Sequence, residues 1–242
     1  MLPLPNVTLV IVDDLMHDMT AAAVRECTDR VSFADVLLFT DKQLDAPGRW
    51  IQTSFGSTDA AESAYWYLVP QHVKSSHFLV AQWDSWIIDP EMWTDRFLEF
   101  DYVGAPWWYN DRNNVGNGGF SLRSMKLAKY LMENKSRFPF QRPEDDTLCR
   151  KFGDRLKSEG IKFADDETAR RFSHEYGTTR ASRHFGFHSI VNFPHILTGP
   201  DLIKRLQMLS PYLEQVSVEQ MASMWKNAMD LLHSGKGLGY HV

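Results

Sequence analysis

Val7-Thr8-Leu9-Val10-Ile11-Val12-Asp13-Asp14 is the stretch on which the fold of this chain turns. Six residues run apolar or β-branched without polar alternation, which is the pattern of a strand covered on both faces, and the run stops at two acids. Asp18 to Val31 then reads as a helix, with Ala21 to Ala23 favouring that state. A second buried strand, Asp35 to Phe39, ends at Thr40-Asp41-Lys42. Strand, helix and strand in this order predict a parallel pair joined by a right-handed crossover.

The same reading extends along the chain. Gln43 to Gly56 is loop-rich, and Ser57 to Val69 reads as a helix capped by Ser57 or Thr58. Phe78 to Ala81 is a short apolar strand, and Pro90 to Leu98 a short helix. Tyr102-Val103 and Phe120 to Arg123 are short strands, and Ser124 to Met132 is helical. Pro143 opens a helix running to about Glu159, with Gly160 past its end, and Ile161 to Ala164 follows as a strand. His174 to Arg183 is irregular, Pro200 to His233 is mostly helical, and Gly235 to Val242 is a loose end. The expected class is α/β: a mostly parallel, mixed, Rossmann-like sheet flanked by helices. We expect a single domain over 1–242, with its core at about 7–195 and a helical tail at 200–242.

With 242 residues, 43% of them hydrophobic, the chain can bury one substantial core. Its net charge of −5 lacks the basic excess on which duplex binding draws, so nucleic acid is not an expected partner. Two cysteines, Cys27 and Cys149, do not make a disulfide framework. The first residues lack a basic leader, and no apolar run reaches the roughly 20 residues that span a bilayer. A cytoplasmic location without a transmembrane segment is the expectation.

Ligands of open parallel sheets bind beyond the carboxyl ends of the strands. Asp13, Asp41 and Asp84 stand at three such ends, although aspartate also serves there as an ordinary turn former or cap. Asp84 follows Gln82-Trp83 and precedes Ser85-Trp86. A carboxylate so placed suits a hard divalent cation, which can hold a diphosphate and neutralise charge on a leaving group. Gly116-Asn117-Gly118-Gly119 permits close backbone approach to a ligand, but it has the spacing of neither a P-loop nor a dinucleotide fingerprint. Pro143-Glu144-Asp145-Asp146 puts three acids in a first helical turn. Capping and the helix dipole account for them, and a general base is the functional alternative. His188, in Phe185-Gly186-Phe187-His188, is a candidate metal ligand with His184 and His195 nearby. Trp107, Trp108 and Tyr109 offer aromatic faces to a carbohydrate.

Taken together, residues 80–86, 100–107, 115–124, 143–145 and 185–188 resemble a family of GT-A-like glycosyltransferases catalogued mainly as a domain of unknown function. The resemblance covers roughly Val7 to His195. It implies a nucleotide-sugar donor, a carbohydrate or other hydroxyl acceptor, and Mn²⁺ or Mg²⁺. By analogy with the wider GT-A group, Asp84 takes the place of the metal-binding Asp-x-Asp motif and His188 that of a late metal-binding histidine. Here the triplet reads Asp84-Ser85-Trp86, so the second acid is missing. Asp145 would be the base, and Glu144 would orient it or the acceptor. Gly118 and Gly119 would line the junction of donor and acceptor. Asp13, Asp41, Lys42 and Gln82 would lie on the donor side. Two other functions are open. One is a carbohydrate-binding protein on the same fold without catalysis, which the missing acid favours. The other is a nucleotidyltransferase, which Asp13-Asp14-Leu15-Met16 disfavours, because that class carries a glycine-rich basic loop after its first strand.

Overall fold

A computed structural model describes residues 1–175 and 183–233. Its elements in chain order begin with β1 (Leu2–Val12), α1 (His17–Thr28), β2 (Val31–Thr40), β3 (Arg49–Gln52), α2 (Thr58–Tyr67), β4 (His77–Ala81), β5 (Trp86–Ile87), β6 (Tyr102–Val103) and β7 (Phe120–Ser124). There follow α3 (Met125–Glu133), α4 (Glu144–Asp146), α5 (Gly153–Ser158), α6 (Asp166–Phe172), β8 (Ser173–His174), β9 (Gly186–Phe187), α7 (Phe193–Ile196), α8 (Gly199–Leu209) and α9 (Val218–His233).

The main sheet has the order β3-β2-β1-β4-β7-β6. β1 to β4 are mutually parallel, and β7 runs against both β4 and β6. Helices flank the sheet, as the α/β reading expected. The unbroken apolar run in β1 is explained by burial on both sides. Leu9 and Ile11 join one core with Met19 and Val24 of α1, while Val10 and Val12 join another with Trp66 of α2 and Leu127 of α3. A three-stranded sheet, β5-β9-β8, stands apart. No helix among the described residues is long and apolar enough to cross a membrane.

Several boundaries differ from expectation. Val31 begins β2 instead of ending α1, because Leu2-Pro3-Leu4 extends β1 and pairs with Val31-Ser32-Phe33. β3, hidden in a loop-like stretch, is an edge strand with mostly exposed side chains and so no hydrophobic signature. The helix expected over Pro90–Leu98 is two 3₁₀ turns, Pro90–Met92 and Asp95–Glu99, separated at Trp93, whose backbone is extended. The helix expected from Pro143 to Glu159 is α4 and α5 joined by a π turn, Thr147–Lys151. Ile161–Ala164 is not a strand and makes a single bridge, Phe163 to Tyr102. The irregular stretch expected over His174–Arg183 lies mostly outside the described residues, as does Gly235–Val242.

β1, β2 and β4 end on one edge of the sheet, and antiparallel β7 begins there, with Phe120 opposite Ala81. Asp13, Asp41, Gln82, Asp84, Gly118 and Gly119 therefore share one rim.

Candidate functional site

The turn after β4 is tied to the turn before β7. The Gln82 N–H donates to the Gly119 carbonyl at 3.0 Å, and the Ser85 hydroxyl donates to the same oxygen at 2.8 Å. The next residues form β5, which pairs with β9 so that Trp86 lies opposite Phe187. Continuing that antiparallel register puts Ser85 opposite His188, with Asp84 one residue further along. Asp84 is 3% exposed, and its Oδ1 accepts no hydrogen bond. The nearest base is His188 Nε2, 3.4 Å away. That is too long for a good N–H···O bond, and it is about the spacing of two donors each roughly 2.1 Å from one divalent ion. A buried carboxylate oxygen without a hydrogen donor is costly unless something positive meets it. The pair thus fits a cation. Among the described residues no group of three or more His, Cys, Asp or Glu is arranged for a metal, so further ligands would come from outside this pair.

His188 is held from its other nitrogen. Nδ1 lies 3.0 Å from the Asn117 amide nitrogen and 3.3 Å from Glu175 Oε1. Asn192 Nδ2 donates to the carbonyls of both His188 and Glu175. Burial drives the imidazolium pKa down, but the carboxylates of Asp84 and Glu175 outweigh it and hold the group up at about 10, so without a metal the ring proton is the positive charge beside Asp84, and a bound cation would displace that proton.

Gly118 and Gly119 run between this pair and Asp145. A Cβ on Gly119 would fall 2.3–2.7 Å from three ring atoms of His188, so only glycine lets the imidazole sit there. Asn117 adopts φ = 68°, a left-handed conformation that asparagine tolerates better than most residues. It is locked by Phe120 N–H donating to its side chain and by the Tyr102 hydroxyl donating to its carbonyl. On the far side, Gly118 N–H donates to Asp145 Oδ2 at 2.9 Å. Asp145 is half-buried. Burial first, and then the charge of Glu144, lift its carboxyl from 3.8 to about 6 against the Gly118 hydrogen bond.

Glu144 differs from expectation. It is 4% exposed and forms a two-pronged ion pair with Arg123, at 2.7 and 3.0 Å, while also accepting from the Trp66 indole. Both oxygens are engaged inside the protein, so Glu144 does not reach an acceptor; what it gives Asp145 is a neighbouring negative charge. Asp13 is likewise taken up locally. Its carboxylate accepts from Leu15 N–H, Met16 N–H and the Thr20 hydroxyl, so it is engaged in the turn that leads into α1. Asp41 pairs with the His17 ring, whose hydrogen bond holds its carboxyl below the usual range. Lys42 is exposed beside it. His184 is buried against the Gly186 carbonyl and takes no part. Asn117 and Glu175 escaped the sequence reading. The first sat unremarked between glycines, and the second belongs to no motif.

No curated protein matches the chain in sequence. A glycosyltransferase involved in glycosylating the major capsid of PBCV-1 shares 11% identity and a TM-score of 0.48, covering 75% of this chain and 92% of its own. The galactosyltransferase LgtC, solved with donor and acceptor sugar analogues, shares 12% identity and a TM-score of 0.48, covering 90% and 99%. The mannosyltransferase PcManGT from Pyrobaculum calidifontis, solved with GDP-Man and Mn²⁺, shares 10% identity and a TM-score of 0.43; 69% of this chain matches 57% of that one. Residues 52–188, more than half of the chain and spanning Asp84, Gly118, Gly119, Asp145 and His188, match one family, and the chain belongs to it: the family described as "Protein of unknown function (DUF5672)".

Proposed function

We propose that the protein transfers a sugar from a nucleoside diphosphate sugar to a hydroxyl acceptor. One observation carries this reading: a proton-accepting carboxylate, Asp145, and a cation-suited pair, Asp84 and His188, flank the same two-glycine backbone at the carboxyl edge of an α/β sheet. A carboxyl held up near 6 is a stronger base than an ordinary aspartate and is still ionised at neutral pH. Asp145 takes the proton from the acceptor hydroxyl. That oxygen forms a bond to the anomeric carbon as the bond from this carbon to the diphosphate oxygen breaks, so the configuration inverts. Asp84 and His188 would hold a divalent cation, Mn²⁺ or Mg²⁺, which would supply charge to bind the diphosphate and neutralise it as it leaves. Asn117 and Glu175 orient the imidazole, as groups behind a metal-binding histidine commonly do. Gln82, Asp41 and Lys42, on the same rim, lie toward the nucleotide, and Trp108, 54% exposed, offers a face to a carbohydrate acceptor.

The test is donor hydrolysis by the whole chain with a panel of nucleotide-sugars and Mn²⁺. We expect slow release of nucleoside diphosphate from one donor, lost in Asp84→Asn and Asp145→Asn. Asp84→Asn turning over every donor at the wild-type rate would overturn the assignment. Position 86 favours a second reading, a carbohydrate-binding protein without catalysis. The residue there is a buried tryptophan, so β5 supplies no second acid. That reading predicts a thermal shift with oligosaccharides and none with any nucleotide.

A further inference from the structure

A cavity of about 600 Å³ opens between α1 and α8. It is lined by Ala22, Arg25 and Glu26 of α1 and by Asp29 and Arg30 just past its end, whereas α1 begins at the catalytic rim; the cavity therefore lies off that rim and belongs to no part of the site above. Its volume is in the range of small-molecule sites.

Arg205 lines the cavity. It is 6% exposed, and its Nη1 is buried without a hydrogen-bond acceptor. Its guanidinium sits over the Trp86 ring, 4.6 Å from the centroid, which fixes its plane. The nearest acid is Glu26, whose Oε1 lies 3.6 Å from Arg205 Nη2. The other oxygen of Glu26 is engaged with Arg30 at 2.6 Å. One carboxylate thus stands between two guanidinium groups, and burial pushes the Arg205 pKa down. A buried charge so incompletely paired is a strain on the fold unless a second anion meets it.

We infer that this cavity is a second binding site, for a small molecule carrying one carboxylate or phosphate on an apolar body. The anionic group meets Arg205, for which a guanidinium is well shaped. The apolar body lies against Trp86, Ile88 and Ile196, which form the hydrophobic part of the wall. Exposed Lys204 stands at the rim and adds attraction. Arg25 and Arg30 also line the cavity, but Glu26, Asp29 and Asp201 offset three of its four cations, so the lining leaves room for a single anionic group.

The test is nuclear magnetic resonance of the full chain, following the indole N–H of Trp86, identified among the eight tryptophans by Trp86→Phe. The probes are 1-naphthyl phosphate, 1-naphthoate, neutral 1-naphthol and inorganic phosphate. We expect one or both naphthyl anions to shift the Trp86 signal saturably, with the stronger of the two identifying the head group. Inorganic phosphate and naphthol should bind more weakly. Arg205→Gln should weaken the naphthyl anion about tenfold, the loss typical of a hydrogen bond to a charged group. Lys204→Glu, a change at an exposed side chain of α8, should weaken it a few-fold. No saturable Trp86 shift with either anion up to about 10 mM, a range covering even weak millimolar binding, would overturn the inference. So would naphthol binding as tightly as the anions, inorganic phosphate binding as tightly as naphthyl phosphate, or wild-type binding in both variants.

Discussion

Asp145→Asn should make the protein more stable and inactive at once, and the size of the effect follows from the site. The Asp145 carboxyl is lifted from 3.8 to about 6 in the fold. At about 1.4 kcal/mol for each pH unit, ionising it at pH 8 costs the folded state up to about 3 kcal/mol relative to an unperturbed aspartate. Asparagine removes that cost. It also removes one acceptor: Asp145 receives Gly118 N–H on Oδ2 and Asp146 N–H on Oδ1, both at 2.9 Å, and the amide can serve only one of them. The lost hydrogen bond takes back about 1–2 kcal/mol, leaving a net gain of about 1–2 kcal/mol. For a chain of this length that is a rise in Tm of about 3–6 °C. The sign depends on pH. Below 3.8 the carboxyl is protonated in both folded and unfolded chains, so the variant has no electrostatic advantage. Between 3.8 and 6 the unfolded chain gives up its proton while the folded one keeps it, so wild-type stability falls as pH rises. Above 6 the full difference is present. Thermal unfolding of both proteins from pH 4 to pH 8 measures this, alongside donor hydrolysis. A variant advantage as large at pH 4 as at pH 8, or none at pH 8, would refute the argument.

Four further outcomes are expected. If Asp145 is the base, the rate of sugar transfer falls about tenfold for each pH unit below about 6, since the protonated form cannot accept the acceptor's proton; a pH–rate profile with its acid limb near 4 contradicts this. Gly119→Ala forces a Cβ to within 2.3 Å of the His188 ring, so it should cost about 1–3 kcal/mol and remove donor hydrolysis; an active, equally stable variant would show that the imidazole need not sit there. Glu144→Gln leaves Arg123 buried without its counter-charge and should cost about 3–5 kcal/mol in chemical denaturation, whereas Glu144→Leu with Arg123→Met should be much less harmful than either single change. Asp84→Asn should abolish the Mn²⁺ dependence of any thermal shift produced by nucleoside diphosphates, and persistence of that dependence places the cation elsewhere.

What could be read from the sequence divides along physical lines. β1 and β2 announced themselves because burial on two faces demands unbroken apolar residues, and a single chain segment carries that whole signal. β3 did not, since an edge strand with exposed side chains looks like a loop. The rim acids illustrate the harder case. Asp13 and Asp84 stand in equivalent places, just past strands of one parallel sheet, and no local pattern separates them. What separates them is the company each keeps. Asp13 meets N–H and O–H donors within seven residues of itself, which any aspartate before a helix can do. Asp84 meets none, because its turn is tied to Gly119, 35 residues on, and its neighbour His188 arrives through the β5–β9 pairing from 104 residues away.

The same distance argument explains why Glu144 and Asp145 have such different surroundings. They are adjacent on one helical turn, so their side chains must diverge, and one of them enters the core. Which one goes in is decided by Arg123, a cation buried between Tyr65 and Tyr102 that requires a carboxylate beside it. Once Glu144 is committed to Arg123, Asp145 is left facing Gly118, half-buried and beside a fixed negative charge, and both circumstances raise its basicity. The buried ion pair is thus more than a support for the helix start. It selects which acid of the pair faces the rim, and its own charge tunes the one that does. Replacing the pair by apolar residues would keep the fold while removing the nearest like charge from Asp145, so the acid limb of the pH–rate profile should move downward even though neither residue touches a substrate.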